Sequence, residues 1–358
     1  MSDDDLFSRL FELFDQPGPV NLRLAAEVAR HLAGEREPIE PWAAEEFREL
    51  TRLAEFRLEQ VAPFPITPAP DVLPVDAPTW AQESLEGLAY LADSLSGIAE
   101  GAAGPAAAIL GPLGPALAGM QLGSLVGALA HWVMASFDAG VPVRGDRPTT
   151  FVVPNIEDFT TRHGLDPRHV RLWVALNETA HRGVFRVPWA FDHLAELLAR
   201  FGGAVRIDPE RLGELLAGMQ GGIEPGTIDP DVFAELFDNE DLRREQAELE
   251  AFLGFVGGFT RLLVERAGAE LLPDLERLYA HRDDDRAEGL GAEGTALAAT
   301  FVEPSAIAKG ADFCREVARR YGEEALDSVW RKPGRFPTAA EVEDPVAWAA
   351  RVLLDDLA

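Results

Sequence analysis

Apolar residues along this chain of 358 residues recur mostly at intervals of three and four, the spacing that lines one face of an α-helix. The pattern predicts helices over 4–14, 20–34, 42–61 and 78–98. Residues 63–78 are proline-rich and predict an extended connector. Two helices of small residues follow, over 105–111 and 115–137. Val141-Pro142-Val143-Arg144 and Thr149-Thr150-Phe151-Val152-Val153 flank the turn Gly145-Asp146-Arg147-Pro148 and predict a small β-hairpin. Asp166-Pro167 offers an N-cap and a proline at the first helical position, and the helix it starts should stop before Pro188. Further helices are predicted over 189–201 (stopped by Gly202-Gly203), 209–219, 230–237, 241–268 and 273–282. The charged run from Asp283-Asp284-Asp285 to Gly294 predicts a surface loop. Helices over 305–321, 323–331 and 345–357 close the chain, with Thr338 and Glu341 as a capping-box pair ahead of the last. The fold class is mainly α with one small β-hairpin. An N-terminal helical region, 1–98, precedes a second region, 99–358, that forms one compact unit.

Residues 101–137 contain no Asp, Glu, Lys or Arg. That length allows one membrane span, but Pro105, Pro112 and Pro115 break its first half, and Gln121, Ser124 and His131 interrupt its second. Gly119, Gly123 and Gly127 recur every four residues and leave one helix face almost bare, which suits close backbone approach. A buried helical hairpin is expected, not a membrane helix. The 47% hydrophobic and 26% charged residues are those of a globular chain. The formal net charge of −29 argues against nucleic acid as a partner, because phosphate binding needs clustered Lys and Arg. The sole cysteine, Cys314, excludes an intrachain disulfide and falls in a helical pattern, as a buried structural thiol would. The start, Met1-Ser2-Asp3-Asp4-Asp5, lacks the basic and apolar regions of a signal peptide, so a cytoplasmic location is expected.

One pentad carries candidate chemistry. Asn177-Glu178-Thr179-Ala180-His181 is the zinc-protease pattern His-Glu-x-x-His with its first histidine replaced. Residues four apart share a helix face, so two histidines at that spacing can hold one zinc ion while the glutamate acts as general base on a bound water. Here Glu178 and His181 remain and Asn177 offers only a carboxamide, a poor partner for zinc. The plainer reading of these five residues is an amphipathic helix with a polar patch. His193 follows His181 beyond Pro188, where a shared helix face cannot bring both to one metal, and a capping or core role is expected. His163 and His169 read as surface or capping groups, and His31, His131 and His281 lack ligand spacing. Neither a Gly-x-Ser-x-Gly elbow nor a phosphate-cradling loop before a lysine is present.

Several stretches together carry a resemblance: Gly18-Pro19-Val20-Asn21, Gly119-Met120-Gln121-Leu122-Gly123, Phe151-Val152-Val153-Pro154-Asn155, Arg171-Leu172-Trp173-Val174-Ala175-Leu176, Val187-Pro188-Trp189 and Asp344-Pro345-Val346-Ala347-Trp348. With the pentad they resemble the zincin-like hydrolases and zinc-dependent metalloproteases of high-GC bacteria, one branch of which is named for deazaflavin-cofactor biosynthesis. The resemblance spans nearly the whole chain. It implies a zincin-like helical fold and a zinc site on the pentad helix. Asn177 then stands at the first ligand, Glu178 at the general base and His181 at the second ligand. The family's third ligand is an acidic residue on a later helix, and Gly257, in Phe255-Val256-Gly257-Gly258-Phe259, occupies that position. Glu248 and Glu250 lie two to three turns earlier and are the alternative carboxylates. With two ligand positions changed, zinc is expected to be absent or weakly held. The expected function is that of a catalytically impaired zincin-like pseudoenzyme binding a peptide or protein partner. The alternative is an active zinc-dependent hydrolase with Glu178 as general base and an unusual ligand set.

Overall fold

The computed structural model describes residues 20–92, 114–145, 147–205, 239–292 and 304–354, without the side chains of 288–292. The predicted helices over 4–14, 105–111, 209–219 and 230–237 lie outside the described residues. The elements in order are α1 (Leu22–Leu32), α2 (Trp42–Glu59), β1 (Val72–Val75), α3 (Ala77–Leu85), α4 (Gly114–Ala130), β2 (Thr149–Val152), α5 (Val153–Arg162), α6 (Pro167–Phe185), α7 (Ala190–Ala204), α8 (Glu240–Gly268), α9 (Leu275–Ala292), α10 (Pro304–Tyr321), α11 (Glu323–Asp327), α12 (Ala339–Val342) and α13 (Pro345–Leu354), with two short 3-10 turns after α11. The fold is mainly α with one pair of strands. A single hydrophobic cluster runs through residues on both sides of position 98, from Ala25 and Phe47 to Trp348 and Val352.

The expected β-hairpin is corrected. β2 pairs not with 141–144 but with β1, in parallel, Val72 opposite Thr149 and Val75 opposite Val152. Pro148 ahead of β2 has no N–H to donate across a tight turn. Val141 is buried, and Arg144 N–H bonds to the Gly87 carbonyl (2.9 Å) instead of to a sister strand. The other edge of β2 holds residues 134–138. Val152 N–H donates to Met134 O (2.8 Å), Ala135 bridges Phe151, and Thr150 N–H donates to Ser136 Oγ (2.9 Å). This fixes a loop across the middle of the pentad helix.

That helix, α6, starts where Asp166 accepts from Arg168 N–H (2.9 Å) and His169 N–H (3.1 Å), satisfying N–H groups that lack helical partners. It is central: its faces pack on α2 and α8. Buried Arg182 ties it to Glu55 (2.6 Å) on α2 and Thr149 Oγ1 (3.0 Å) on β2. α7 runs through Gly202-Gly203 to Ala204, so that stop was set too early. The expected surface loop from Asp283 is likewise corrected to helix, because α9 continues to Ala292. The charged residues there have partners: Asp283 takes Arg261, Asp285 takes Arg162 and His163, and Arg282 and Arg286 both take Asp138.

The bare face of α4 docks on α1 within the same chain. A Cβ added at Gly123 would lie 2.5 Å from the Ala25 carbonyl oxygen, and one at Gly127 2.6 Å from Leu32 Cβ. Among the described residues the helix packed on that bare face is α1, and the predicted partner helix 105–111 lies outside them. Among the described residues no helix is long and apolar enough to cross a membrane. Thr338 and Glu341 form the predicted capping box, which starts the short α12. Cys314 is buried in α10, and burial pushes its thiol pKa up.

Candidate functional site

The loop on β2, the middle of α6, the middle of α8, the inward face of α9 and Ile307 on α10 enclose a cavity of about 50 Å³. Asn177, Glu178, His181 and Gly257 all line it. Glu248 and Glu250 do not. Glu248 accepts from Ala339 N–H (3.3 Å) and Glu250 from the Gln246 amide (2.7 Å). His193 is elsewhere too, its ring packed against those of Trp189, Phe252 and Phe336. His163 caps the end of α5, bonds to Asp285 (3.0 Å) and stacks on His281 with centroids 4.2 Å apart.

The three pentad side chains are held differently. Asn177 is held at both ends: its Nδ2 donates to Trp173 O (2.8 Å), and its Oδ1 accepts from the Tyr279 hydroxyl (3.1 Å). His181 Nδ1 lies 2.9 Å from the Asn177 carbonyl oxygen. A carbonyl only accepts, so Nδ1 carries the proton and Nε2 keeps its lone pair. Burial pushes the imidazole down to about 4, so it is neutral at pH 7. Glu178 is 2% exposed, and its Oε2 accepts from Phe137 N–H (2.8 Å). Its Oε1 has no partner among the described residues. Burial outweighs that bond and the charge of Arg182 and raises the carboxyl to about 8, so its protonated form dominates at neutral pH.

Facing them, Gly257 contributes no side chain. A Cβ there would meet Ile307 Cγ1 at 3.0 Å, so the isoleucine fills the space next to it. The rest of the wall is charged in a way that sequence reasoning missed. Arg261, Arg282 and Arg286 line the cavity with Asp138 and Tyr279. Asp138 Oδ1 accepts from Arg286 (2.8 Å), and its Oδ2 from Arg282 and from Met134 N–H (2.8 Å). Burial works against ionisation of Asp138, but the two guanidiniums prevail and hold it below the usual carboxylate range. Burial lowers Arg282 to about 10, which leaves it charged at neutral pH. Burial also raises the Tyr279 hydroxyl, which stays protonated and donates to Asn177. Among the described residues no group of three or more His, Cys, Asp or Glu is placed to hold a metal ion. A signal for the missed wall existed. Tyr279, Arg282 and Arg286 follow one another at three and four residues, and Asp138 is the first charge after the uncharged run.

The chain shares its fold with a crystal structure described as "a putative hydrolase with a novel fold" from Chloroflexus aurantiacus. The TM-score is 0.64 at 19% identity, over 93% of this chain and 98% of that one. A search of the curated proteins gives no match. The sequence profile of the zincin-like metallopeptidases matches residues 20–349. On that match, which covers nearly all of the described helices and the whole of the cavity, the chain belongs to the zincin-like metallopeptidase family.

Proposed function

We propose that this zincin-like protein holds zinc weakly or not at all and acts by binding a peptide or protein partner without cleaving it. The reading is supported by what stands at the two positions that the resemblance assigns to zinc ligands, 177 and 257. A catalytic zinc centre takes three protein ligands and a water. His181 Nε2 is one suitable donor. Both polar ends of Asn177 are engaged by Trp173 and Tyr279. Gly257 has no donor, and Ile307 stands beside it. Three guanidiniums in the same wall add like-charge repulsion to any cation. The residues present do not fit a zinc ion, and no hydrolytic step through one is derived.

One observation favours the alternative, an active hydrolase. Glu178 is buried with one oxygen unpartnered and its pKa raised to about 8, a perturbation typical of catalytic carboxyls. A helix that serves packing alone gains nothing from it. The two readings separate in one assay. The purified chain is incubated with a fluorogenic peptide library, with and without added zinc, beside Glu178→Gln. The proposal expects peptide retention without zinc-dependent turnover. Zinc-dependent cleavage that Glu178→Gln abolishes would overturn it and establish the alternative.

A further inference from the structure

The cavity wall is electropositive inside an acidic protein. It brings together Arg261, Arg282 and Arg286 against the carboxylates of Asp138 and Glu178, with Asp283 behind Arg261, so it is net positive when Glu178 is protonated. The whole chain carries −29. Each guanidinium spends only part of its donor set. Arg261 gives Nη2 to Asp283 (2.9 and 3.0 Å). Arg282 gives Nη2 to Asp138 and the Trp132 carbonyl (2.9 Å). Arg286 gives Nη2 to Asp138 (2.8 Å). Among the described residues no Nη1 of the three donates to a protein acceptor, and all three buried Nε groups also lack one.

Two of these guanidiniums are held in place by rings and not only by acceptors. Arg261 lies 4.3 Å over the Tyr279 ring and Arg282 5.1 Å over Trp132. A guanidinium held over a ring can keep N–H groups for another partner. The Arg282 side chain is only 3% exposed. A buried cation with unmet donors is costly unless something answers it. The wall also has an apolar part, formed by Trp173, Val174, Val256 and Ile307.

The geometry points to a ligand site in this cavity for the carboxylate of a small organic acid or peptide terminus, its charged end on Arg261, Arg282 and Arg286 and its apolar body against Trp173 and Val256. Arginine donors suit a planar carboxylate, which can take two parallel N–H bonds. The apolar wall favours an organic acid over inorganic phosphate, and the small volume admits the carboxylate end of a ligand, not a folded chain. This assignment rests on the weakly metallated reading of the same site, and it names what such a site would bind.

The test is calorimetric titration of the full chain, with its zinc content measured beforehand and chloride held constant. The probes are hexanoate, N-acetyl-leucyl-leucine with a free carboxylate, the same dipeptide as its amide, and inorganic phosphate. The expected result is saturable binding of hexanoate or the free dipeptide, none of the amide and weaker binding of phosphate. Whichever of the two binds tighter identifies the source as a free acid or a peptide terminus. Arg286→Gln should weaken that binding about tenfold, with Arg286→Lys in between. Four results overturn the assignment: no saturable binding of either carboxylate, equal affinity for acid and amide, phosphate binding as tight as the carboxylates, or an unchanged affinity in Arg286→Gln. If Arg286→Gln does not fold, Arg261→Gln is judged by the same criterion. Zinc-loaded protein would instead sink the metal-free reading, and carboxylate binding would then be judged after chelation.

Discussion

Helix α8 carries glycines in two regions, and they answer to different constraints. Gly254 and Gly258 face α10. A Cβ at Gly254 would lie 2.5 Å from the Ala306 carbonyl oxygen, and one at Gly258 would overlap the Ala311 backbone nitrogen. Gly310, on the opposite helix, meets the Gly254 backbone in the same way. Backbone cannot yield, so this seam requires glycine. Gly257, one residue away and turned to the cavity, meets only side-chain atoms of Ile307. Nothing in the backbone demands a glycine there. The seam is a condition of folding, whereas the residue type at position 257 is separable from the fold.

Breaking the seam gives the largest expected effect. Gly258→Ala or Gly310→Ala should cost about 3 kcal/mol by urea unfolding, because overpacking against backbone exceeds the gain in helix propensity. A loss below about 1 kcal/mol would mean the two helices separate more easily than their geometry implies.

The next effect belongs to the cavity and depends on pH. The folded pKa of Glu178, about 8, lies above its ordinary 4.5. The folded protein therefore keeps a proton that the unfolded chain releases. That contribution to stability is complete below the ordinary value and is lost as pH rises through about 8. Glu178→Gln has no proton to lose, so it should gain on the wild type by about 3 to 4 kcal/mol between about pH 5 and pH 8. Chemical denaturation at both ends of that range checks this, and a constant difference would contradict it. His181, depressed to about 4, works in the opposite direction. Its contribution is complete above its ordinary 6.5 and is lost as pH falls towards about 4.

The smallest effect sharpens the comparison. Gly257→Ala should change stability by less than about 1 kcal/mol, since the helix gains what Ile307 loses in moving. Were Gly257→Ala as damaging as Gly258→Ala, the distinction between seam and cavity would fail.

Local pattern revealed much of this molecule. The N-cap at Asp166, the span of α6, the bare face of α4 and the length of α8 all follow from residues adjacent in sequence. The strand pairing did not, because β1 and β2 are joined across more than 70 intervening residues, and alternation within 149–152 says nothing about which strand lies beside it. Gly257 could be placed beside Asn177 and His181 only through the family resemblance, and the cavity indeed contains all three. The arginine wall was hidden by composition. Asp283-Asp284-Asp285 reads as a solvated turn, yet the arginines around it point inward because Asp138, far away in sequence, meets them. Long-range charge pairing leaves no local period.

A cavity lined by guanidiniums, with an amide at position 177 and no side chain at 257, should not hold zinc. Elemental mass spectrometry of the purified, tag-free chain, supplied with zinc and then dialysed, tests it most directly, alongside Asn177→His. Zinc is expected far below one per chain in both proteins, because Gly257 still supplies no ligand when position 177 carries a histidine. Zinc near about one per chain in the wild type would show an intact ligand set and contradict the weakly metallated reading.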